Sequence, residues 1–172
     1  MKMRWQPSIQ IVPHYESDPI YIQALVNSIE KKINEINWKP DLILSSYHGI
    51  PKSYFDKGDP YHCYCHKTTR LIKEKFDQVD IQTTFQSRFG PQEWLKPYTD
   101  KTIEDLPDKG VKNLLVICPG FASDCVETLE EINIQARESF LEKGGKKFDL
   151  VPCLNDNSDH INLFEKLIRR FL

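Results

Sequence analysis

The sequence contains no long apolar run. Within its 172 residues, no stretch approaches the ~20 apolar residues that a membrane-spanning helix requires. The first residues, Met1-Lys2-Met3-Arg4-Trp5, lack the apolar segment of a secretory signal peptide. We therefore expect a cytoplasmic protein without a transmembrane segment, and peripheral contact with a membrane stays open.

An excess of charge of either sign is also lacking. Twenty-three lysines and arginines balance 25 aspartates and glutamates, which leaves a net charge of −2. A nucleic-acid-binding surface needs basic residues that cluster on one face, whereas here the two signs are mixed along the chain. The sequence therefore predicts no nucleic-acid partner.

The five cysteines include no CxxC pair, and their odd number in a cytoplasmic chain indicates free thiols rather than a disulfide framework. One cluster, His62-Cys63-Tyr64-Cys65-His66, has four side chains that could bind zinc or an iron–sulfur cluster. A closed tetrahedral site would need a second ligand pair, which the sequence does not clearly offer. We therefore favour the start of a helix without a metal.

What the sequence does contain is a regular alternation of apolar strand-like runs and amphipathic helices. The predicted strands are 8–12, 42–46, 81–85, 113–117 and 148–151, and the predicted helices are 19–38, 63–75, 101–108, 124–143 and 158–172. This order predicts one α/β domain over 8–172, a three-layer sandwich with a parallel, doubly wound sheet of about five strands. Residues 1–7 would form an N-terminal tail. The irregular stretch 86–100 is long enough to suggest a functional loop.

Two polar residues follow predicted strands at the edge of the sheet where ligands bind in open α/β folds. His48 comes after the second strand, and Glu127 comes after the fourth. Imidazole titrates near neutrality, so His48 could act as a base or as a metal ligand, although a lone histidine in a turn is often structural. Glu127 has an alternative role, because Asp124 three residues earlier resembles the start of a capping box.

The helix that contains Glu127 separates polar from apolar residues. Its predicted apolar stripe consists of Cys125, Leu129, Ile132, Ala136 and Phe140. On a different face, Glu127, Glu131 and Gln135 follow one another at single-turn spacing. Stacked carboxylates repel each other unless solvent or a cation relieves the repulsion. The row is therefore either a solvated surface or a path for a divalent cation.

Three segments in this order carry a resemblance to a known family. They are Ser46-Tyr47-His48-Gly49-Ile50-Pro51, the stretch 84–100 that contains Gln86-Ser87-Arg88-Phe89-Gly90 and Trp94-Leu95, and the stretch 118–132 that begins Cys118-Pro119-Gly120-Phe121. Together they resemble ferrochelatase, and the resemblance extends from about Ser8 to Leu172. It implies a chelatase-like fold and corresponds to the C-terminal half of the usual chain, which folds as two similar halves around a porphyrin cleft.

The resemblance implies a lyase that inserts ferrous iron into protoporphyrin IX during haem biosynthesis. His48 and Glu127 match the two inner catalytic residues of the family, and a metal would contact His48, Glu127 and Glu131. Gln135 replaces a residue that is often acidic, which weakens an outer metal site. Trp94 could equally belong to the core. The residues expected at the porphyrin are Tyr47, Arg88 and Trp94.

The same resemblance sets expectations about cofactors and partners. Fe²⁺ is expected as a substrate. No iron–sulfur cluster is expected, because the sequence ends at Leu172 without a cysteine-bearing extension and Cys63 and Cys65 do not suffice. The partner would be the N-terminal half of the enzyme, without which activity would be low. Two alternatives stay open: a related chelatase of the cobalt and sirohydrochlorin type, and a non-catalytic haem- or metal-binding half-domain.

The sequence does not decide which of His48 and Glu127 takes protons and which binds iron. It also leaves open whether protoporphyrin or coproporphyrin is the substrate, and what the oligomeric state is.

Overall fold

The computed structural model describes Trp5 and residues 8–172. The predicted tail, 1–7, therefore lies outside the described residues except for Trp5. The described chain forms one parallel sheet with the strand order β2-β1-β3-β4. The strands are β1 (Leu42–His48), β2 (Ile81–Gln86), β3 (Asn113–Ile117) and β4 (Lys147–Leu150).

Helices cover both faces of the sheet. They are α1 (Pro19–Glu35), α2 (Lys52–Asp56), α3 (Tyr61–Lys75), α4 (Thr99–Asp105), a π-helix (Glu127–Ala136), α5 (Arg137–Glu142) and α6 (Ser158–Arg169). One apolar core joins α1, α3 and α6 to residues such as Ile43 and Leu115 on one face. A second core joins α4, the π-helix and α5 to residues such as Leu44 and Val116 on the other. The predicted three-layer α/β sandwich is confirmed.

The first predicted strand is wrong. Residues 8–12 form no strand, and the side chains of Ile9 and Ile11 are 80% and 82% exposed. Alternating apolar residues form a strand only where a neighbouring strand accepts their backbone hydrogen bonds. None of the described strands pairs with this segment, so the described sheet has four strands, close to the predicted number of about five.

Two predicted helix boundaries are confirmed by their caps. The side chain of Asp18 accepts a hydrogen bond from the Ile20 amide at 2.9 Å, with Pro19 at the first helical position. In the helix after β3, α5 ends at Glu142, and Gly144 follows with a φ of 97° that suits glycine best.

The helix after β3 differs in type from the α-helix that the sequence predicts. Glu127–Ala136 is a π-helix, which then continues as α5. Its buried side chains recur every four residues, at Thr128, Ile132 and Ala136, and continue to Phe140. In an α-helix, positions four apart drift around the axis by about 40°, whereas the wider π turn keeps them closer to one line. Leu129, predicted to be buried, is 49% exposed.

Within the part of the chain that the structure describes, no helix is both long enough and apolar enough to cross a membrane.

Candidate active site

The carboxyl ends of β1, β2 and β3 bring the predicted site residues to one edge of the sheet. His48 is the last residue of β1, and it lies opposite Gln86, the last residue of β2. Glu127 begins the π-helix that follows β3. The parallel order of the strands therefore places His48 and Glu127 at the same edge, although 79 positions separate them in the sequence.

The ring of His48 presents one free nitrogen. Its Nδ1 lies 2.6 Å from the carbonyl oxygen of Gly49. A carbonyl can only accept a hydrogen bond, so Nδ1 carries the proton and, in the neutral ring, Nε2 keeps its lone pair. The rings of Trp94 and Phe121 flank the imidazole, with centroids 6.5 and 6.3 Å away. Nε2 can therefore accept a proton or bind a metal.

The turn after His48 requires glycine. A Cβ atom at Gly49 would lie 2.9 Å from the carbonyl oxygen of Gln86 and 3.2 Å from the ring of Trp94. The same Gln86 oxygen accepts a hydrogen bond from the Gly49 amide at 2.8 Å. Only a residue without a side chain can approach β2 so closely, and this approach fixes the backbone next to the imidazole.

Gln86 connects the three elements of the site. Its buried side chain donates from Nε2 to the carbonyl oxygen of Glu127 at 2.7 Å and accepts at Oε1 from the hydroxyl of Ser46 at 2.7 Å. One side chain thus ties the start of the π-helix to β1 and β2. Gln86 was not among the predicted site residues; the available signal was a glutamine at the end of a largely buried strand.

Replacing Gln86 by leucine should lower the free energy of unfolding by about 1–3 kcal/mol, because the Glu127 carbonyl and the Ser46 hydroxyl would lose a buried partner. Gln82→Leu is the matched control, since Gln82 is exposed on the same strand and a surface change there should stay within about 0.5 kcal/mol. Urea unfolding of both variants measures the difference. Equal midpoints would show that Gln86 does not anchor the π-helix.

The carboxyl group of Glu127 stays ionised beside His48. Its own backbone N–H and the side chain of Cys125 lower the pKa of Glu127, and a positive charge on His48, when that ring is protonated, lowers it further. Glu127 is not the capping residue that the sequence offered as an alternative. In a capping box Glu127 would accept a hydrogen bond from the Asp124 amide, which donates instead to the side chain of Asn155 at 2.9 Å. The amide of Cys125 donates to the hydroxyl of Thr128 at 3.0 Å. The Glu127 carboxylate is thus available at the rim.

Glu131 lies further along the π-helix and is held by the loop after β2. The hydroxyl of Ser87 donates to Glu131 Oε2 at 2.6 Å. Ser87 adopts a φ of 63°, which is uncommon for a residue other than glycine and frequent at functional sites. Gln135 donates to Glu130 at 3.3 Å. Ser87 was not among the predicted site residues.

A cleft of about 720 Å³ runs beside this row. Glu131 and Gln135 line one wall, and Ser87, Arg88 and Asp100 line the other. His48 and Glu127 do not line the cleft itself; they lie beyond Gln86, which does. The row of polar side chains therefore connects the cleft with the His48–Glu127 pair.

The structure separates the three residues predicted to contact a porphyrin. Trp94 lies beside His48, and its Nε1 donates to the carbonyl oxygen of Phe89 at 2.9 Å. Arg88 stacks over the ring of Tyr98, 4.1 Å from its centroid, and pairs with Asp100. Both residues belong to the loop that the sequence analysis identified as functional.

Tyr47 does not line this cleft; it lines a second pocket that also includes Gly120 and Phe121. Its side chain is 3% exposed, and its hydroxyl accepts a hydrogen bond from Ser45 at 3.2 Å and lies 3.0 Å from the hydroxyl of Thr69. Burial raises the pKa of Tyr47 well above its usual value. The ring packs with Cys65 and Phe85 on the face of the sheet opposite the π-helix.

The histidine–cysteine cluster forms the first turns of α3, as the helix interpretation predicts. Cys63 is exposed, whereas Cys65 is buried, and burial raises the pKa of the Cys65 thiol to about 12. Among the described residues, no group of three or more histidine, cysteine, aspartate or glutamate side chains is placed to hold a metal ion.

A network around Asp124 fixes the segment that leads into the π-helix. Its carboxylate accepts hydrogen bonds from the amide of Cys153 at 3.1 Å and from the side chain of Asn155 at 2.8 Å. Burial opposes ionisation, but the hydrogen bonds from Asn155 and Cys153 outweigh it, so the pKa of Asp124 lies below its usual value. Asp124 thus joins the site to the loop after β4.

This lowered pKa predicts a contribution to stability that acid removes. The pKa of Asp124 is lower in the folded chain than the value of 3.8 expected in the unfolded chain, so its ionised form stabilises the fold fully above pH 3.8. This stabilisation is lost as the pH falls from 3.8 through the lower pKa of the folded chain. Asp124→Ala should therefore be less stable than the parent chain at neutral pH, and the gap should close below pH 3.8. Urea unfolding across this pH range measures the gap. Asp156→Ala, at an exposed carboxylate in the same loop, is the control, and an equal gap for both variants would contradict the assignment.

Comparison with known proteins shows which family the sequence is similar to. The family model for ferrochelatase matches residues 1–172. A ferrochelatase of Allorhizobium ampelinum and one of Rhizobium meliloti are each 56% identical over 174 residues, which cover 100% of this chain and 51% of each relative. The chain thus spans about half the length of these curated relatives.

The fold also matches a solved structure. A multi-domain protein of Deinococcus radiodurans, described as structurally similar to chelatases, superposes with a TM-score of 0.57 at 10% identity, over 87% of this chain and 29% of that one. This likeness supports the chelatase-like fold alone, whereas the match to the family model and the high identity to its curated members concern the sequence itself. The chain belongs to the ferrochelatase family.

Proposed function

We propose that this chain is the metal-site half of an enzyme that inserts Fe²⁺ into protoporphyrin IX to form haem. The observation that carries the proposal is the pairing of a histidine with a free Nε2 and an ionised glutamate at the end of a polar row. Residues 8–172 would act as a single domain equivalent to the C-terminal half of ferrochelatase. Its partner would be the other half, in a cytoplasmic enzyme.

The residue types suit the chemistry of metal insertion. A free-base porphyrin carries two N–H protons, and both must leave as iron enters the ring. The lone pair on His48 Nε2 can accept a proton or bind iron, and the Glu127 carboxylate can take the remaining task. Nitrogen and oxygen ligands hold Fe²⁺ less firmly than thiolates do, so a site built from them can release the metal to the ring.

Glu131 would supply iron to this pair. The hydrogen bond from Ser87 orients its carboxylate beside the cleft, and the π-helix carries it on the same row as Glu127. Gln135, next along the row, is neutral and would attract a cation less strongly than a carboxylate. The negative charge on the row therefore increases from Gln135 toward the two glutamates, which favours movement of Fe²⁺ toward His48.

Trp94 and Arg88 would contact the porphyrin. Trp94 offers an aromatic face beside His48, where an apolar macrocycle would gain by packing on it. Arg88 would exchange its pairing with Asp100 for a porphyrin carboxylate, a charge-assisted hydrogen bond of the same kind. The buried position of Tyr47 favours a role in packing, so the porphyrin contact is proposed for the other two residues only.

An absorbance assay tests the proposal. The chain, supplied with the complementary half of a relative, is mixed with Fe²⁺ or Zn²⁺ and, in separate reactions, protoporphyrin, coproporphyrin and sirohydrochlorin. Metal insertion into protoporphyrin supports the proposal. Insertion into coproporphyrin would change the substrate assignment only, and cobalt insertion into sirohydrochlorin would indicate the related chelatase instead. Binding without insertion would indicate a non-catalytic half-domain.

A further inference from the structure

Two histidines on α3 lie together, away from the His48–Glu127 pair. His62 and His66 are four positions apart, so they occupy neighbouring turns on one side of the helix. Their ring centroids are 4.4 Å apart. They pack on Phe85, which belongs to the cluster around Tyr47 on the opposite face of the sheet from the π-helix. Neither histidine has a role in the function proposed above.

Aromatic contacts restrict the orientation of both rings. His62 stacks on Phe85 at 5.6 Å with an angle of 20° between the ring planes, and it contacts Phe55 of α2 at 4.9 Å. His66 contacts the same Phe85 at 6.1 Å. Side chains that are already held in place lose less conformational freedom when they bind a ligand. The two imidazoles are therefore preorganised as a pair.

An ion can reach both imidazole rings from solvent. His66 is exposed at the surface and His62 is half-buried. The adjacent Cys65 is buried, so its thiol does not compete as a ligand.

We propose that His62 and His66 form a two-imidazole binding site for a divalent cation of the zinc, nickel and copper class. Imidazole nitrogen suits these borderline cations, whereas Mg²⁺ and Ca²⁺ require oxygen ligands. Two protein ligands leave the remaining positions to water, in keeping with the lack of a third histidine, cysteine or acidic ligand there among the described residues. The site is thus exchangeable rather than structural.

Zn²⁺ is the probe for the test, because it is redox-inert and the chain contains free thiols. The titration uses the full 172-residue chain carrying His48→Ala, which removes the imidazole ligand of the candidate active site. Imidazole resonances followed by NMR report each histidine separately. We expect the His62 and His66 signals to move together and to saturate at one Zn²⁺ per chain.

Matched variants decide the outcome. His62→Gln or His66→Gln should each weaken Zn²⁺ binding at this site at least about tenfold, since even outer partners of metal ligands cause losses of that size. The double variant should lose little more than either single one. His14→Gln is the control, because His14 packs on Tyr64 of the same helix at 5.0 Å. Thermal melts without Zn²⁺ verify that each variant is folded.

Two results would overturn the proposal. One is that the His62 and His66 signals respond independently or not at all while the chain is folded. The other is that Cys63→Ser, at the exposed thiol between them, abolishes binding as fully as His62→Gln does, which would assign the ion to a thiolate. Neither result bears on metal insertion, so this site and the proposed function fail or stand separately.

Discussion

Replacing His48 by alanine should reduce the rate of metal insertion by roughly 10²–10⁴-fold in a preparation that contains both halves, the range that a positioned acid or base supplies. The variant loses the Nε2 lone pair of the neutral His48 ring, whether that lone pair serves proton transfer or iron binding. Absorbance assays with porphyrin and Zn²⁺ or Fe²⁺ measure the reduction in the rate of metal insertion. His14→Ala, at an exposed histidine outside the rim, is the control and should insert metal normally.

Glu127→Gln tests the other member of the pair. It keeps the size of the side chain, removes its charge and should reduce insertion by a similar factor. The fold should remain, because Thr128 rather than Glu127 accepts the hydrogen bond from the Cys125 amide. Glu131→Gln should have a smaller effect, since Glu131 lies further along the row. Near-normal insertion by the His48 variant would refute the assignment, and unfolding of the Glu127 variant would restore the capping role.

The chain alone should fold cooperatively but insert metal at least about 100-fold more slowly than when joined to a complementary half. Two apolar cores on the two faces of the sheet make the fold self-sufficient. In the proposed function, however, the rim supplies only one wall of the porphyrin cleft, and misplacement of a substrate by as little as 1 Å can cost about 10²-fold in rate. Insertion rates of the chain with and without a complementary half from a relative measure the difference.

A sizing measurement accompanies this experiment. A second copy of the chain could supply the opposite wall, so activity of the chain alone is compared between its monomeric and self-associated fractions. Full activity of the monomer would contradict the prediction. The His48→Ala chain mixed with the same complementary half is the control, because restored activity there would show that the added half inserts metal by itself.

Much of the fold follows from local sequence. β1 and β3 were predictable because their apolar runs are continuous, as expected of strands buried on both faces. Residues 8–12 show the limit of this reasoning, since alternation describes a strand without revealing whether a partner exists. β1 also continues past its apolar run to His48, because pairing of His48 with Gln86 extends it.

Site residues could be predicted where their place follows from the position of a strand in a parallel sheet. Residues that act through hydrogen bonds to partners far away in the sequence were not predicted. His48 and Glu127 both follow strands. Gln86 and Ser87 act through residues 40 or more positions away, at Ser46, Glu127 and Glu131, and no local pattern encodes such pairs.

Tyr47 illustrates a rule that the sequence interpretation could have applied. Adjacent residues on a strand point to opposite faces, so a rim position for His48 already turns the neighbouring tyrosine toward the other face. The π-helix, by contrast, left no signal, because its apolar spacing of four residues also fits an α-helix.

The π-helix makes the number of residues in this segment as important as their identity. A π turn closes its hydrogen bond one residue further along the chain than an α turn does. Deleting one residue within Glu127–Ala136 would let the segment rewind as an ordinary α-helix. A deletion between Glu127 and Glu131 would also shorten their spacing from four residues to three, which turns Glu131 and Gln135 away from Glu127, and Ile132 and Ala136 away from Thr128. A substitution in this segment changes one side chain, whereas deletion of one residue would change the orientation of all the polar side chains that follow it in the row.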